Sequence, residues 1–295
     1  MTTNIAVRLR LQIRQLWRFA RLGAHLLLGI WLCALILPRR SPAAREQLIR
    51  KWSSALLKIF GVSVEFFYAE PPLPTRLPPA TSLHSETLHI AARHTGPWRV
   101  HAACHDKAVQ PGVIVANHLS WLDVFVINTV QPCRFVAKSE IRAWPVLGYL
   151  CRSIDTIFIA RGSARDVRHI FRQLADSIKA GDHVAFFPEG TTANQGVLLP
   201  FHANLFEAAI DAEVPIQPVA LRYLDQQGNL HAQIDYTGDI TFGQSMLRVL
   251  RSPAIRAQII LTPEIASTLG NRRALAAAAQ RSIAAALDHP PPEGA

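Results

Sequence analysis

The chain has 295 residues, 49% of them hydrophobic and 18% charged, which excludes a wholly disordered protein and leaves material for one large core plus an appendage. The formal net charge is +10, but residues 1–60 hold eleven Lys/Arg against the single acid Glu46. The remainder carries 20 basic and 20 acidic side chains, which excludes a protein basic over its whole surface, as a general nucleic-acid binder would be.

The basic segment flanks an apolar run, Leu22 to Leu37, in which His25 alone is ionisable. Arginines around such a run point to an anionic membrane surface rather than to nucleic acid, whose binding arms interleave charge with polar and stacking residues. Sixteen residues at 1.5 Å rise reach about 24 Å, short of the ~30 Å hydrocarbon core, so a helix dipping into one leaflet is expected in place of a clean span. A signal peptide shares the basic start and apolar middle; Arg39 and Arg40 directly after the run argue against cleavage and export.

Pro38 stops the first helix, and Ser41-Pro42 reads as the N-cap and first position of a second, which ends at Gly61. Leu48, Ile49, Trp52, Leu56, Ile59 and Phe60 recur at helical spacing, with basic residues over much of the remainder. Residues 1–61 therefore read as a two-helix hairpin lying on or in the bilayer. Val62–Phe67 reads as an edge strand. Residues 71–111 read as an irregular, proline-containing insertion with short strands at Leu88–Ala92 and Arg99–Ala103. Its four histidines (His84, His89, His94, His101) fit no single helix face and have no acidic cluster beside them, so surface residues are favoured over a metal site. The four cysteines (Cys33, Cys104, Cys133, Cys151) show neither disulfide-framework nor zinc spacing.

From Gly112 the pattern becomes regular. Strands are expected at Val113–Ala116, Cys133–Ala137, Asp155–Ala160, Val184–Phe187 and Pro215–Tyr223. Helices are expected near Ser120–Val130, after a Ser163 cap to about Ala180, and at Ala203–Ala212. A strand pair near His231–Tyr236 and Ala257–Leu261 extends the sheet, and Arg273–Leu287 reads as a terminal helix. The fold class is thus α/β, a mostly parallel central sheet flanked by helices. The expected domains are the hairpin at 1–61, an α/β domain at 62–270, and a C-terminal helix and tail at 271–295.

Two constellations carry chemistry. Asn117-His118-Leu119-Ser120-Trp121-Leu122-Asp123 leaves a strand and enters a helix, where open α/β sheets place ligand loops. Asp123 can hold one imidazole nitrogen while the other takes a proton from an alcohol; the plain alternative makes Asp123 a helix-dipole residue and His118 a cap. Phe187-Pro188-Glu189-Gly190-Thr191-Thr192 follows a buried strand and offers an acceptor, backbone N–H groups and hydroxyls for polyol or phosphate oxygens, or else a turn with Gly190 at positive φ.

The two constellations, about seventy residues apart, resemble those of the lysophosphatidic acid (glycerophospholipid) acyltransferases. Lys138 through Pro145 with Gly148 and Phe158-Ile159-Ala160-Arg161 is similar to that family's second block, and Val214–Ala220 to its fourth. The resemblance covers roughly residues 112–222, and the basic hairpin matches the membrane-docking element it implies. It implies that His118 is the general base and Asp123 its orienter; that Glu189 and Gly190, with Thr191, bind the acceptor's polar part; that Arg161 and Lys138 contact phosphate; and that Pro215 lies near the acyl chain. It implies no metal and no cofactor, with acyl-CoA or an acyl carrier protein as co-substrate, membrane lipids and a lyso-lipid acceptor as partners, and no nucleic acid. The expected place is the cytoplasmic face of a bacterial-type inner membrane. The expected reaction moves a fatty acyl group to a lyso-glycerophospholipid hydroxyl, with 1-acylglycerol-3-phosphate giving phosphatidic acid. Thr192 stands where many lysophosphatidate enzymes carry arginine, which admits another acceptor such as a lyso-ornithine lipid or a lysophospholipid with a larger headgroup. A lipid-binding protein without catalysis is the rival from another class; it would have no use for a base beside an orienting carboxylate.

Overall fold

A computed structural model of the chain describes residues 2–70, 99–102, 112–159 and 164–288. Helix α1 spans Thr2–Trp31 and runs on through a π-helical turn, Leu32–Ile36, and a 3-10 turn, Leu37–Arg39. Pro38 has no N–H to continue the ladder, and the chain turns there into α2, Pro42–Phe60. Ser41 has the extended backbone of an N-cap, but its hydroxyl makes no capping bond. Gly61, at φ 76°, ends α2 by returning its N–H to Leu57 O and Lys58 O.

Eight strands follow: β1 Val62–Glu70, β2 Arg99–Ala102, β3 Val113–Ala116, β4 Arg134–Lys138, β5 Ile157–Ile159, β6 Val184–Phe186, β7 Ile216–Leu224 and β8 Ile255–Leu261. Their order in one sheet is β2-β1-β8-β7-β3-β6-β4-β5. The half from β7 to β5 is parallel, whereas β7–β8 and β1–β2 are antiparallel. Parallel strands buried on both faces need apolar residues at every position, and β3 (VIVA) and β6 (VAF) supply them. The remaining helices are α3 Leu122–Val130, α4 Leu147–Ser153, α5 Ala164–Lys179, α6 Glu207–Asp211, α7 Phe242–Arg251 and α8 Arg272–Ala286.

Two apolar layers enclose the sheet. On one face α2, α3 and α7 pack with Leu22 of α1 around Leu57, Phe60, Leu122, Val126 and Tyr223. On the other, α5, α6 and α8 pack around Ile170, Leu174, Phe206 and Leu275.

Several expectations are corrected by this packing. β1 is not an edge strand, because β2 pairs with it through Phe67↔Ala102 to Glu70↔Arg99. Residues 231–236 form no strand: Ala232–Ile234 is a 3-10 turn that brings the Tyr236 N–H to Leu119 O. The stripe of α2 does not all face outward, since Leu56, Ile59 and Phe60 are core residues shared with the sheet while Leu48, Ile49 and Trp52 border the cavity described below. Nor is α8 an appendage, for Leu275, Ala279 and Ile283 are fully buried. Some arginines of the basic segment serve the fold. Arg18 donates to Leu250 O and Ser252 O at 2.9 and 3.1 Å, and Arg50 to Val130 O at 2.9 Å, which places guanidinium charge at the C-terminal ends of α7 and α3. The expected strand at Leu88–Ala92, the Ser163 cap, Cys104 and the histidines at 84, 89 and 94 lie outside the described residues.

α1 has two faces. Leu22 and His25 are buried against the domain, as is Leu37 in the 3-10 turn beyond it. His25 stacks on Trp52 of α2 with ring centroids 4.6 Å apart, and each residue bonds the other's backbone carbonyl. On the opposite face Ile13, Leu16, Trp17, Leu27, Leu28 and Trp31, continued by Leu35 in the π-helical turn, stay exposed, Leu27 at 69%. The segment Gln12–Arg39 is long and apolar enough to cross a bilayer by length and composition. A helix with one flank occupied by protein and the other apolar is also suited to lie in one leaflet.

Candidate active site

Strand order assembles the site. Ligand loops of a parallel sheet leave the C-terminal ends of its strands, and β7, β3, β6 and β4 are neighbours. Tyr223, His118, Glu189 and Lys138 therefore come together from four adjacent strand ends, although they are far apart in the chain.

His118 leaves β3, and Asp123 lies in the first turn of α3. Asp123 Oδ2 meets His118 Nδ1 at 2.8 Å and accepts the Leu119 and Ser120 N–H groups at 2.7 and 2.9 Å. Its Oδ1 accepts the Tyr223 hydroxyl at 2.6 Å. Asp123 is 0% exposed, and these donors offset the loss of water around a buried carboxylate. The imidazole stacks on Phe187 with centroids 4.0 Å apart and planes 10° from parallel. One ring nitrogen and the ring plane are thus fixed, which leaves Nε2 for chemistry.

Glu189 holds this loop in place. Its Oε1 accepts the His118 N–H at 2.7 Å and its Oε2 the Leu199 N–H at 2.9 Å. Burial raises its pKa to about 7 against the two N–H bonds that lower it, and the nearby Asp123 charge raises it further. Both oxygens face loop backbone, so Glu189 ties two loops together. Gly190, at φ 69°, turns away from Glu189 with the His202 ring 3.4 Å from where a β-carbon would sit. The Thr192 hydroxyl donates to Tyr236 O, and Ala193 N–H to His118 O at 2.8 Å.

His118, Glu189, Gly190, Thr191 and Lys138 all border one cavity of about 1410 Å³. Pockets for drug-sized ligands measure about 300–1,000 Å³, so this space exceeds what a small polar substrate needs. Its remaining wall is mostly apolar and includes Leu26 of α1, Leu32 of the π-helical turn that follows it, Trp52 of α2 and Phe125 of α3. A proton acceptor at the wall of a long apolar chamber suits a reaction at the polar end of a lipid.

Of the residues singled out by sequence, the structure brings His118, Asp123 and Glu189 into contact and sets Gly190, Thr191 and Lys138 on the same cavity. Arg161 lies outside the described residues. Pro215 precedes β7 at its N-terminal end, opposite the site, and is not part of the cavity wall; a proline suits a strand start because no ladder donor is lost there. No group of three or more His, Cys, Asp and Glu able to hold a metal occurs among the described residues. Sequence reasoning missed Tyr223 and the stacking role of Phe187. It also missed the two-way clamp of Asn117, whose amide bonds the N–H and carbonyl of Leu221 at 2.7 and 3.0 Å. Nothing local signals these partners, which stand as far as a hundred residues from the groups they hold.

Known proteins resemble this chain in sequence and in fold. The family model described as Acyltransferase matches residues 98–222. The chain is 39% identical over 179 residues to the 1-acyl-sn-glycerol-3-phosphate acyltransferase of Neisseria meningitidis serogroup B, covering 60% of this chain and 69% of that protein. It is 39% identical over 178 residues to the lyso-ornithine lipid O-acyltransferase of Pseudomonas aeruginosa, covering 60% and 68%. In fold it is similar to the crystal structure of the 1-acyl-sn-glycerophosphate acyltransferase PlsC from Thermotoga maritima, with a TM-score of 0.61 at 15% identity over 95% of this chain and 96% of that one. The chain belongs to the lysophosphatidic acid acyltransferase family and is an enzyme that transfers acyl groups.

Proposed function

We propose that the enzyme moves a fatty acyl group from an acyl thioester, acyl-CoA or acyl carrier protein, to the free hydroxyl of a lyso-glycerophospholipid, with 1-acylglycerol-3-phosphate as acceptor and phosphatidic acid as product. The observation that carries this reading is the 2.8 Å bond between His118 Nδ1 and a fully buried Asp123 at the wall of the apolar cavity. With Nδ1 engaged, Nε2 takes the proton of the acceptor hydroxyl, and the oxygen bonds to the thioester carbonyl carbon. The C–S bond then breaks, and the thiolate recovers the proton from the imidazolium. The thioester is already activated, so the reading calls on no cofactor beyond that co-substrate. The exposed apolar face of α1 rests in the cytoplasmic leaflet of a bacterial-type inner membrane, which presents the cavity to lipid.

A second acceptor class, a lyso-ornithine lipid or a lysophospholipid with a larger headgroup, is favoured by Thr192. It supplies no cation, and its hydroxyl is engaged by Tyr236 O. The Pseudomonas aeruginosa relative named for that acceptor matches at the same 39% identity. A panel of lyso-lipids against both donors, read by product mass, separates the two. In the same assay His118→Ala loses transfer by about 10²–10⁴-fold while keeping its fold and liposome binding; activity within about threefold of wild type ends the reading.

A further inference from the structure

β7 pairs with β3 only as far as Ala116↔Val219, yet it runs on to Leu224. Its last five residues therefore lie beside the loop that carries His118. Two side-chain ties join them: Asn117 grips the backbone of Leu221, and two residues on the Tyr223 hydroxyl reaches Asp123 Oδ1 at 2.6 Å. Tyr223 is itself held, its N–H by Gln195 Oε1 at 2.6 Å and its carbonyl by the His231 N–H at 2.9 Å.

A tyrosine that only filled the core would have no need of its hydroxyl. This one ends on the less occupied oxygen of Asp123. Oδ2 takes the imidazole and two backbone N–H groups, whereas Oδ1 takes Tyr223 among the described residues. We infer that Tyr223 is a positioning residue for acyl transfer: its hydroxyl fixes the rotation of the Asp123 carboxylate, so that Oδ2 meets His118, and draws off part of its charge. The inference rests on the His118–Asp123 reading above. Burial, and then the Asp123 charge, keep the phenol pKa well above its ordinary value, so the group is a donor throughout the working range.

Removing the hydroxyl leaves Oδ1 without this donor, so the buried carboxylate is held from the Oδ2 side by the Leu119 and Ser120 N–H groups and is more basic toward the imidazole. The imidazolium is then held more tightly, and the acid limb of the rate profile moves up in pH. Tyr223 does not line the cavity, so substrate binding stays as it was. Among the described residues, the ionisable groups facing Asp123 are His118 on its own loop, Glu189 from the loop after β6 and Tyr223 from β7. A limb near the Glu189 pKa of about 7 that ignores changes at Tyr223 belongs to Glu189.

The test compares wild type, Tyr223→Phe and protein carrying ring-fluorinated tyrosine at 223, which keeps the shape and sharpens the donor. Tyr223→Phe is expected to lower kcat by about tenfold with both KM values within about twofold, and to move the acid limb of kcat/KM up by about half a pH unit or more. Fluorination is expected to move that limb down. A folded Tyr223→Phe with unchanged kcat and limb overturns the inference, as does a loss of kcat whose limb neither variant moves. If Tyr223→Phe does not fold, the fluorinated protein decides alone. A His118→Ala protein that remains active removes the underlying reading, whereas an inactive one beside an unaltered Tyr223→Phe removes this inference only.

Discussion

Glu189→Gln is the most discriminating substitution at the site, because Glu189 is 4% exposed and each of its oxygens accepts a backbone N–H from a different loop. Burial raises its pKa from 4.5 to about 7, which at about 1.36 kcal/mol per unit comes to about 3 kcal/mol. The folded state therefore binds this proton more tightly than the unfolded chain does. The group's contribution to stability is fully present below about pH 4.5 and lost as pH rises through about 7. Glutamine has no such proton, so the stability of wild type relative to Glu189→Gln should fall by about 3 kcal/mol between pH 4.5 and 8. At about 2–4 °C per kcal/mol, detergent-solubilised proteins should show this as a relative change in Tm of about 6–12 °C. In activity the order reverses. Above pH 7 the carboxylate satisfies both N–H groups, whereas the amide turns a donor toward one of them, at a cost of about 1.5–3 kcal/mol. Expressed at His118, that is a loss of about 10- to 100-fold in kcat/KM. A stability difference that stays flat with pH within about 1 kcal/mol would refute the claim that burial governs this carboxyl.

Two other predictions concern the N-terminal helices. A β-carbon on Gly29 would meet Trp52 Nε1 at 2.8 Å and two ring carbons at 3.1 Å, so Gly29→Ala should displace the His25–Trp52 stack and cost about 1–3 kcal/mol; an unchanged melting curve would show that α1 and α2 do not depend on that contact. Trp17 and Trp31 are 63% and 50% exposed on the outer face of α1, so replacing both with Asp should weaken co-sedimentation with anionic liposomes by about tenfold or more while leaving transfer on micellar substrate. Undiminished liposome binding would mean that another surface docks the enzyme.

The arginines of residues 1–60 show how far composition can be read. Their excess and the apolar run beside them point to a membrane-facing segment, and the helix there is long and apolar enough to cross a bilayer by length and composition. Composition treats all the charges alike, yet Arg18 and Arg50 are spent on helix C-termini inside the fold. Periodicity likewise revealed the stripe of α2 without saying what covers it. An apolar helix face looks the same in sequence whether lipid or a sheet lies against it, and here Leu56, Ile59 and Phe60 meet the sheet.

What the sequence determined by itself is local. Apolar runs fixed the parallel strands β3 and β6, Pro38 and Gly61 fixed the ends of helices, and five residues of separation were enough to pair His118 with Asp123 across one turn. Only the tertiary structure decided which strands are neighbours. The order β7-β3-β6-β4 joins the Glu189 loop to the His118 backbone and slides Tyr223 beneath Asp123. Contacts across a sheet depend on strand order, which no spacing along the chain encodes, so a hydroxyl a hundred residues away stayed invisible until the sheet was assembled.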